Sequence, residues 1–541
     1  MAATGNAERK EQVIRHIASR ALAAPLLPSG LWYHGDIRDN FYDASYLFAA
    51  AQSKLLSGQE AERASELAAS VLEKVLSLQD MDPTSATYGH FPLKLGEELH
   101  LAKPHPLPVE LMGPLMALFL QQFGEHMPSS LRNSFDNAVW HMYKSQYYVT
   151  PLERFGHHVA KHTAGALIYA VIYNDDSLLR ASHERIRATL SQVRTYGMTE
   201  YGSLPWFWHW VQAFAAAWEL ATDEAVRKDL SELLEWLWEE RASYYLHGAW
   251  VGPHCRSWPH DAPADRNLAM DYVQFGDIPM PDQWPRVEYA GLLAYDISDA
   301  VRSRVFNRTY PIEHKRTYPL SAEQPQSRLH SYTYMTEQFA LGGMKERRLE
   351  FDNEQRRWDF SFPIREDSVN QAYFYSPAGA HDARHSGDCE EIAIHRGCVI
   401  AIYRPHPQGS DIAGILPLPD SGTEWTLEGT SLYGKVNDTY IAIHALHHLR
   451  IERGTDRYDV RSEGSEGNVI VMEAVTVAEA SLHHIDSLGA FIASSRNRQP
   501  LFSDAKLGGR YSLFNGDMLE LQLEDDNTPA AKVNGEPMWQ F

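Results

Sequence analysis

Trp250-Val-Gly-Pro-His-Cys-Arg-Ser-Trp258 separates two kinds of sequence. Before it, apolar residues recur at helical spacing; after it, short alternating runs take over. Within it, Gly252-Pro253 forces a bend, because glycine admits unusual backbone angles and proline cannot continue a helix. In an extended segment His254 and Arg256 fall on one side. A titratable imidazole, a permanent cation and the indole faces of Trp250 and Trp258 make a candidate site for an anionic or sugar-like ligand. The competing reading is an interdomain turn, with the tryptophans in the core and Arg256 in a structural ion pair.

Upstream, the periodicity predicts a first amphipathic helix over residues 8–24, where Val13, Ile14, Ile17 and Leu22 share a face. A polar-aromatic loop, Leu31 to Asp43, leads into a helix ending near Leu56, and another spans about 61–78. Further helices fall near Pro108–Phe123, Ser130–Ser145, Phe155–Asn174, Ser177–Val193, Pro205–Ala221 and Asp223–Tyr245. Asn174-Asp-Asp-Ser and Thr222-Asp-Glu supply capping side chains. Short connections between long helices mean antiparallel hairpins, and many in succession close into a bundle, a solenoid or a ring of paired helices. No fixed-period repeat favours a TPR-type array.

Downstream, Trp358–Phe362, Val399–Tyr403, Tyr440–His444 and Asn468–Met472 read as strands, and Tyr511–Leu521 as a hairpin around Asn515-Gly516. Strands that follow helices, without alternation, imply segregated domains. The fold class is therefore α+β multidomain: an N-terminal α/α toroid over residues 1–290, a linker over 291–325, and a C-terminal antiparallel β-sandwich over 326–541.

Composition narrows the function. A net charge of −22 opposes nucleic acid as a partner, since phosphate binding needs a basic surface. A locally basic cleft can still hold a short acidic substrate. Aromatic residues make up 11% of the chain, and flat aromatic faces suit sugar rings. The cysteines, Cys255, Cys389 and Cys398, are odd in number and lack zinc-like spacing, as in a reducing compartment. No signal peptide precedes the first helix and no apolar run is long enough to span a membrane, so a cytoplasmic, membrane-free protein is expected. No dinucleotide, P-loop, serine-elbow or kinase motif appears. No cofactor is expected, and homo-oligomers remain open.

Four segments resemble the heparinase II/III-like and alginate-lyase-like polysaccharide lyases. These are Tyr88-Gly-His-Phe, Thr199-Glu-Tyr-Gly-Ser-Leu-Pro-Trp-Phe, Gly252-Pro-His-Cys-Arg-Ser-Trp, and Tyr332-Thr-Tyr-Met-Thr-Glu-Gln-Phe-Ala-Leu-Gly342. Trp206-Phe207 and Trp258 stand where the family pattern has tyrosines. The resemblance implies a toroid and sandwich with a cleft between them, where a glycosidic bond next to a uronic acid is cleaved by β-elimination. That chemistry needs a group that neutralises the carboxylate, a base for the C5 proton, and an acid for the leaving oxygen. By resemblance Arg256 or His254 holds the carboxylate, Tyr201 or His158 is the base, and Tyr334 (or Tyr332) arrives from the β domain. The catalytic candidates are thus Tyr201, His254, His158 and Tyr334. The substrate-binding candidates are Arg256, Glu200, Trp206, Trp258, His157 and Trp250.

Other readings compete. His158 and His162, at i and i+4, could hold a metal, though the HExxH glutamate is missing and a polar helix face explains them as well. Glu200 with Asp261 could be the paired carboxylates of a glycoside hydrolase; Asp36, Asp39 and Asp43 are further carboxylate candidates. Trp206 and Trp210 share a helical face, as a stacking platform or as core. A third class is a non-catalytic carbohydrate-binding protein.

Overall fold

The computed structural model describes residues 5–152, 155–257, 262–282, 284, 286–319, 326–347, 355–380, 386–407, 409, 411–464, 466–503 and 506–539. They form two compact units. The helical unit holds Met1–Thr199, Leu204–Glu240 and Arg266–Ser303, and the β unit holds Glu200–Ser203, Arg241–Asp265 and Arg304–Phe541. The division differs from the contiguous one expected from sequence. The hinge stretch and the short Glu200–Ser203 loop belong with the sheets, because their backbones bond to one another and to strand residues. The expected linker over 291–325 contributes a helix, Asp299–Phe306, and a strand, Ile312–Pro319.

The helical unit is built from hairpins: α1 (Asn6–Ala23), α2 (Ile37–Gln52), α3 (Gly58–Leu76), α4 (Pro106–Phe123), α5 (Ser129–Ser145), α6 (His157–Tyr173), α7 (Asp176–Tyr196), α8 (Leu204–Leu220) and α9 (Glu224–Ser243). The Asp36, Asp175 and Asp223 carboxylates cap α2, α7 and α9. The helices form two layers. Inner helices α2, α4, α6 and α8 pack on one another, while α3, α5 and α7 each lie outside one of them. Composition dictates the sorting. Helices α4, α6 and α8 are apolar almost all round and are buried, whereas α7 buries a single stripe including Ile186, Leu190 and Val193.

The β unit stacks three antiparallel sheets. The largest runs, edge to edge, through Leu449–Arg453, Arg457–Ser462, Ile412–Pro417, Gln371–Tyr375, Trp358–Ser361, Ala340–Met344, Arg328–Met335 and Ile312–Pro319. Its inner face, with Leu341, Phe360, Phe374 and Val460, packs on Ile394, Val399, Ile441 and Met472 of a six-stranded sheet. The other face of that second sheet, with Ile400, Ile402, Val469 and Val471, meets Tyr511, Leu519 and Leu521 of a five-stranded third sheet. The middle sheet is therefore covered on both sides, which is why Cys398–Tyr403 and Asn468–Thr476 read as continuous apolar runs. Among the described residues no helix is long and apolar enough to cross a membrane.

Candidate active site

In the helical unit, the N-terminal ends of the inner helices gather charge. Glu110, one turn into α4 and 6% exposed, is the hub. Its Oε2 accepts from His158 Nδ1 at 2.7 Å and pairs with Lys161 Nζ at 2.6 Å, and its Oε1 lies 3.5 Å from His162 Nε2. Burial alone would raise this carboxyl; the hydrogen bonds from His158 and His162 and the Lys161 charge overcome it and hold it far below the usual carboxylate range. His162 Nδ1 meets Thr150 Oγ1 at 3.0 Å. His158 is held through Nδ1 alone, with its side chain 46% exposed. A histidine fixed through Nδ1 by a carboxylate presents Nε2 as a proton acceptor.

Next to this dyad lies a cationic cluster. His157 on α6 packs at a tilt against His209 of α8 at 5.3 Å and Trp206 at 5.8 Å, and the Arg286 guanidinium covers the Trp206 ring at 4.7 Å. Burial drives the His209 imidazole well below its ordinary value, and the positive charges of Lys161, His157, Arg286 and Arg38 push it further. His209 is therefore a neutral ring among cations, and among the described residues its Nδ1 has no hydrogen-bond partner. Helix N-termini add partial positive charge at the same place. Two of these cations are already paired, Lys161 with Glu110 at 2.6 Å and Arg38 with Asp36 at 2.5 Å.

The β unit holds a second cluster, built from the hinge. His254, 3% exposed, turns Nδ1 to the Gly202 carbonyl at 2.5 Å and Nε2 to Asp359 Oδ2 at 2.9 Å. Nδ1 makes the hydrogen bond to Gly202, whereas Nε2 lies within ion-pair distance of Asp359 without hydrogen-bond geometry. Arg356 Nη2 reaches the same Oδ2 at 2.8 Å, and its guanidinium lies on the Tyr373 ring at 4.3 Å. Burial raises the Asp359 carboxyl, but His254 and Arg356 outweigh it and leave it below its ordinary value. The backbones of His254 and Arg356 bond reciprocally at 3.0 and 2.8 Å, pinning the hinge to the sheet.

Glycines permit the close approach. A Cβ at Gly202, where φ is +68°, would stand 2.4 Å from the Pro253 oxygen and 2.9 Å from His254 Nδ1. At Gly342 it would stand 2.4 Å from the Gly252 Cα. Cys255 N donates to the Tyr201 carbonyl at 3.0 Å, so the loop carrying Tyr201 is fixed from both sides. Burial lowers the Arg347 guanidinium; Glu390 opposes that, Arg357 adds to it, and Tyr201 is near enough to raise it. Arg256 adopts φ +48°, a left-handed conformation that non-glycine residues occupy mainly where the surroundings impose it.

The sequence candidates are thus distributed as follows. His157, His158 and Trp206 meet in the helical unit. Glu200, Tyr201, Trp250, His254, Arg256 and Tyr334 lie in the β unit. His254 is enclosed, with Nδ1 held by the Gly202 carbonyl. Trp250 is packed between Tyr244 and Arg241, and Trp210 is fully buried beside Phe214. Tyr334 sits in the sandwich core against Phe339, and Tyr332 donates to Glu313 at 3.1 Å. Glu200 is 6% exposed. Trp258, His260 and Asp261 lie outside the described residues. The His158–His162 spacing is used for Glu110, with the Lys161 ammonium beside it. Among the described residues no group of three or more His, Cys, Asp or Glu is placed to hold a metal ion.

Sequence reasoning passed over Glu110, Lys161, Arg286, Asp359 and Arg356. A signal existed for two of them. Glu110 is a lone carboxylate in the apolar run Pro106–Phe123, and Asp359 lies between Trp358 and Phe360 in a buried strand. A lone charge on such a segment needs a partner.

No protein-family model and no curated protein matches the chain. Among solved structures it is similar to polysaccharide lyases over nearly its whole length. With a chondroitin AC lyase of Streptomyces coelicolor A3 in complex with chondroitin sulphate it shares 9% identity, covering 99% of this chain and 90% of that one, at a TM-score of 0.49. A heparinase III matches at 8% identity, 97% and 89% coverage and a TM-score of 0.41. A chondroitinase AC lyase studied in oligosaccharide complexes matches at 8% identity, 98% and 94% coverage and a TM-score of 0.42. At these identities and scores the likeness assigns no activity to this chain.

Proposed function

We propose that the protein is a carbohydrate lyase that cleaves a uronic-acid-containing glycan by β-elimination. The observation that carries this reading is the His158–Glu110 dyad beside the Lys161, Arg286 and Arg38 cations in a strongly acidic chain. An anion-attracting cluster next to a carboxylate-oriented histidine supplies two of the three requirements. Cations next to the C6 carboxylate make the C5 proton acidic, and His158 Nε2 accepts that proton. The C5 electron pair then forms the C4–C5 double bond as the C4–O bond breaks, and the departing oxygen takes up a proton. In the β unit, Tyr201 is the second candidate for proton transfer, and Arg256 for holding a carboxylate. There His254, Asp359 and Arg356 act as positioning residues for the Tyr201 loop.

The test is ultraviolet absorbance of the conjugated unsaturated uronate, followed on a panel of uronic-acid oligosaccharides. Wild type should produce it; loss in His158→Ala assigns the base to the helical unit, and loss in Tyr201→Phe assigns proton transfer to the β unit. New reducing ends without absorbance would replace elimination by hydrolysis. Asp39 would then be the first acid to remove, since burial and the neighbouring Asp36 push its carboxyl up to about 6. Neither signal on a broad panel overturns the proposal.

A further inference from the structure

The outer face of the eight-stranded sheet carries a row of aromatic and charged side chains. On Arg457–Ser462, Tyr458 and Val460 point into the core while Asp459 and Arg461 point out and are exposed. The antiparallel register sets Tyr375, Ala413, Arg461 and Arg450 side by side across four neighbouring strands. Ala413 leaves a dip between the tyrosine and the arginines. Arg461 and Arg450 stand directly opposite each other, an arrangement of like charges that destabilises a sheet. Arg450 Nη2 is compensated by Glu463 Oε1 at 3.1 Å, and Arg457 Nε by Asp459 Oδ1 at 3.5 Å. Among the described residues Arg461 has no carboxylate in ion-pair range.

A cavity of about 950 Å³ is lined by this row, with Asp411, His448 and the Arg450 partner Glu463 also in its lining. That volume is within the range that holds a ligand of a few rings. The row is continuous with the hinge cluster: the Tyr375 ring lies 6.0 Å from that of Tyr373, which carries Arg356.

We infer that this groove is a second binding site, for a uronic-acid-bearing oligosaccharide. The sugar carboxylate bridges Arg461 and Arg450, which present planar donor forks matched to it. A sugar ring lies against Tyr375, and a hydroxyl donates to Asp411. The choice of a uronate rests on the proposed function; the uncompensated Arg461 beside Arg450 stands without it.

The test uses the full chain carrying His158→Ala and Tyr201→Phe, so that sugar is not consumed, and titrates it calorimetrically with tetragalacturonate and with neutral maltotetraose. Tetragalacturonate should bind and maltotetraose should not. Adding Arg461→Gln, an exposed position where folding is not at stake, should weaken binding at least about tenfold, and Arg450→Gln should weaken it as well. The inference is overturned if the parent does not bind tetragalacturonate, if both sugars bind alike, or if neither arginine matters. Arginine-dependent binding with no unsaturated product from the wild-type chain would sink the lyase reading alone. Product formed by wild type, with binding indifferent to Arg461, would sink the groove alone.

Discussion

Replacing Glu110 with Gln tests the hub of the helical unit, because it keeps the shape and removes the charge. Lys161 Nζ lies 2.6 Å from Glu110 Oε2, with its side chain 3% exposed. At that distance and an effective dielectric of about 20, the gross attraction is about 6 kcal/mol, much of it offset by desolvation of both groups. Removing one partner leaves the ammonium buried without its counter-charge, so Glu110→Gln should cost about 3–5 kcal/mol. At roughly 2–4 °C per kcal/mol for a body of this size, the helical unit should melt roughly 6–20 °C lower. The sign of the pH dependence follows from the lowered carboxyl. Folding favours the ionised form, so the stabilisation is complete above the ordinary value of 4.5 and drains away as pH falls below it. The gap between wild type and Glu110→Gln, measured by calorimetry, should therefore close in acid. Lys161→Met alone should also destabilise, while the Lys161→Met, Glu110→Leu double variant should cost much less than the sum of the singles. Single variants that each cost under about 1 kcal/mol, or a strictly additive double, would refute a buried pair at this position.

In the β unit, Asp359→Asn leaves the buried Arg356 charge without a carboxylate and should cost about 3–5 kcal/mol by urea unfolding; a loss under about 1 kcal/mol contradicts the buried pair. Gly202→Ala combines a left-handed backbone with a collision at 2.4 Å, and should destabilise by at least about 1–3 kcal/mol. Gly489→Ala, with nothing within 4 Å of the added Cβ, is the control and should change little. Glu288 is buried, which pushes its carboxyl up to about 8 against the pull of Arg286, so it folds protonated at neutral pH. A raised acid is a liability that grows as pH rises from the ordinary value of 4.5 towards 8. Glu288→Gln should thus match wild type near pH 4 and exceed it near pH 8 by about 3–5 kcal/mol, at about 1.4 kcal/mol per unit. Equal melting temperatures at both pH values would show that this carboxyl titrates normally.

The reach of the sequence followed the range of the physics. Helices α1 to α9 were legible because period and caps are local, and the hairpin at Asn515-Gly516 because its turn chemistry is local too. Division into units was not, because membership is a property of contacts. Four residues, Glu200–Ser203, lie between two helices in sequence, yet bond to the hinge and fall in the β unit. The same distinction separates the two clusters. His157, His158 and Tyr201 could be singled out from their own neighbourhoods. Their partners lie far along the chain: Glu110 is 48 residues from His158, and Asp359 lies on a strand beyond the hinge that holds His254. What foretold those partners was a mismatch, a carboxylate in a segment otherwise fit for burial. A buried carboxylate must find positive or donating groups somewhere, and the histidines and arginines nearest the hinge and the α6 start were the unclaimed candidates. Matching unexplained buried acids to unexplained bases would have proposed both Glu110–His158 and Asp359–His254. It would not have chosen between them as the seat of proton transfer, because that depends on exposure: His254 is enclosed, whereas the His158 side chain is half-exposed and held through Nδ1.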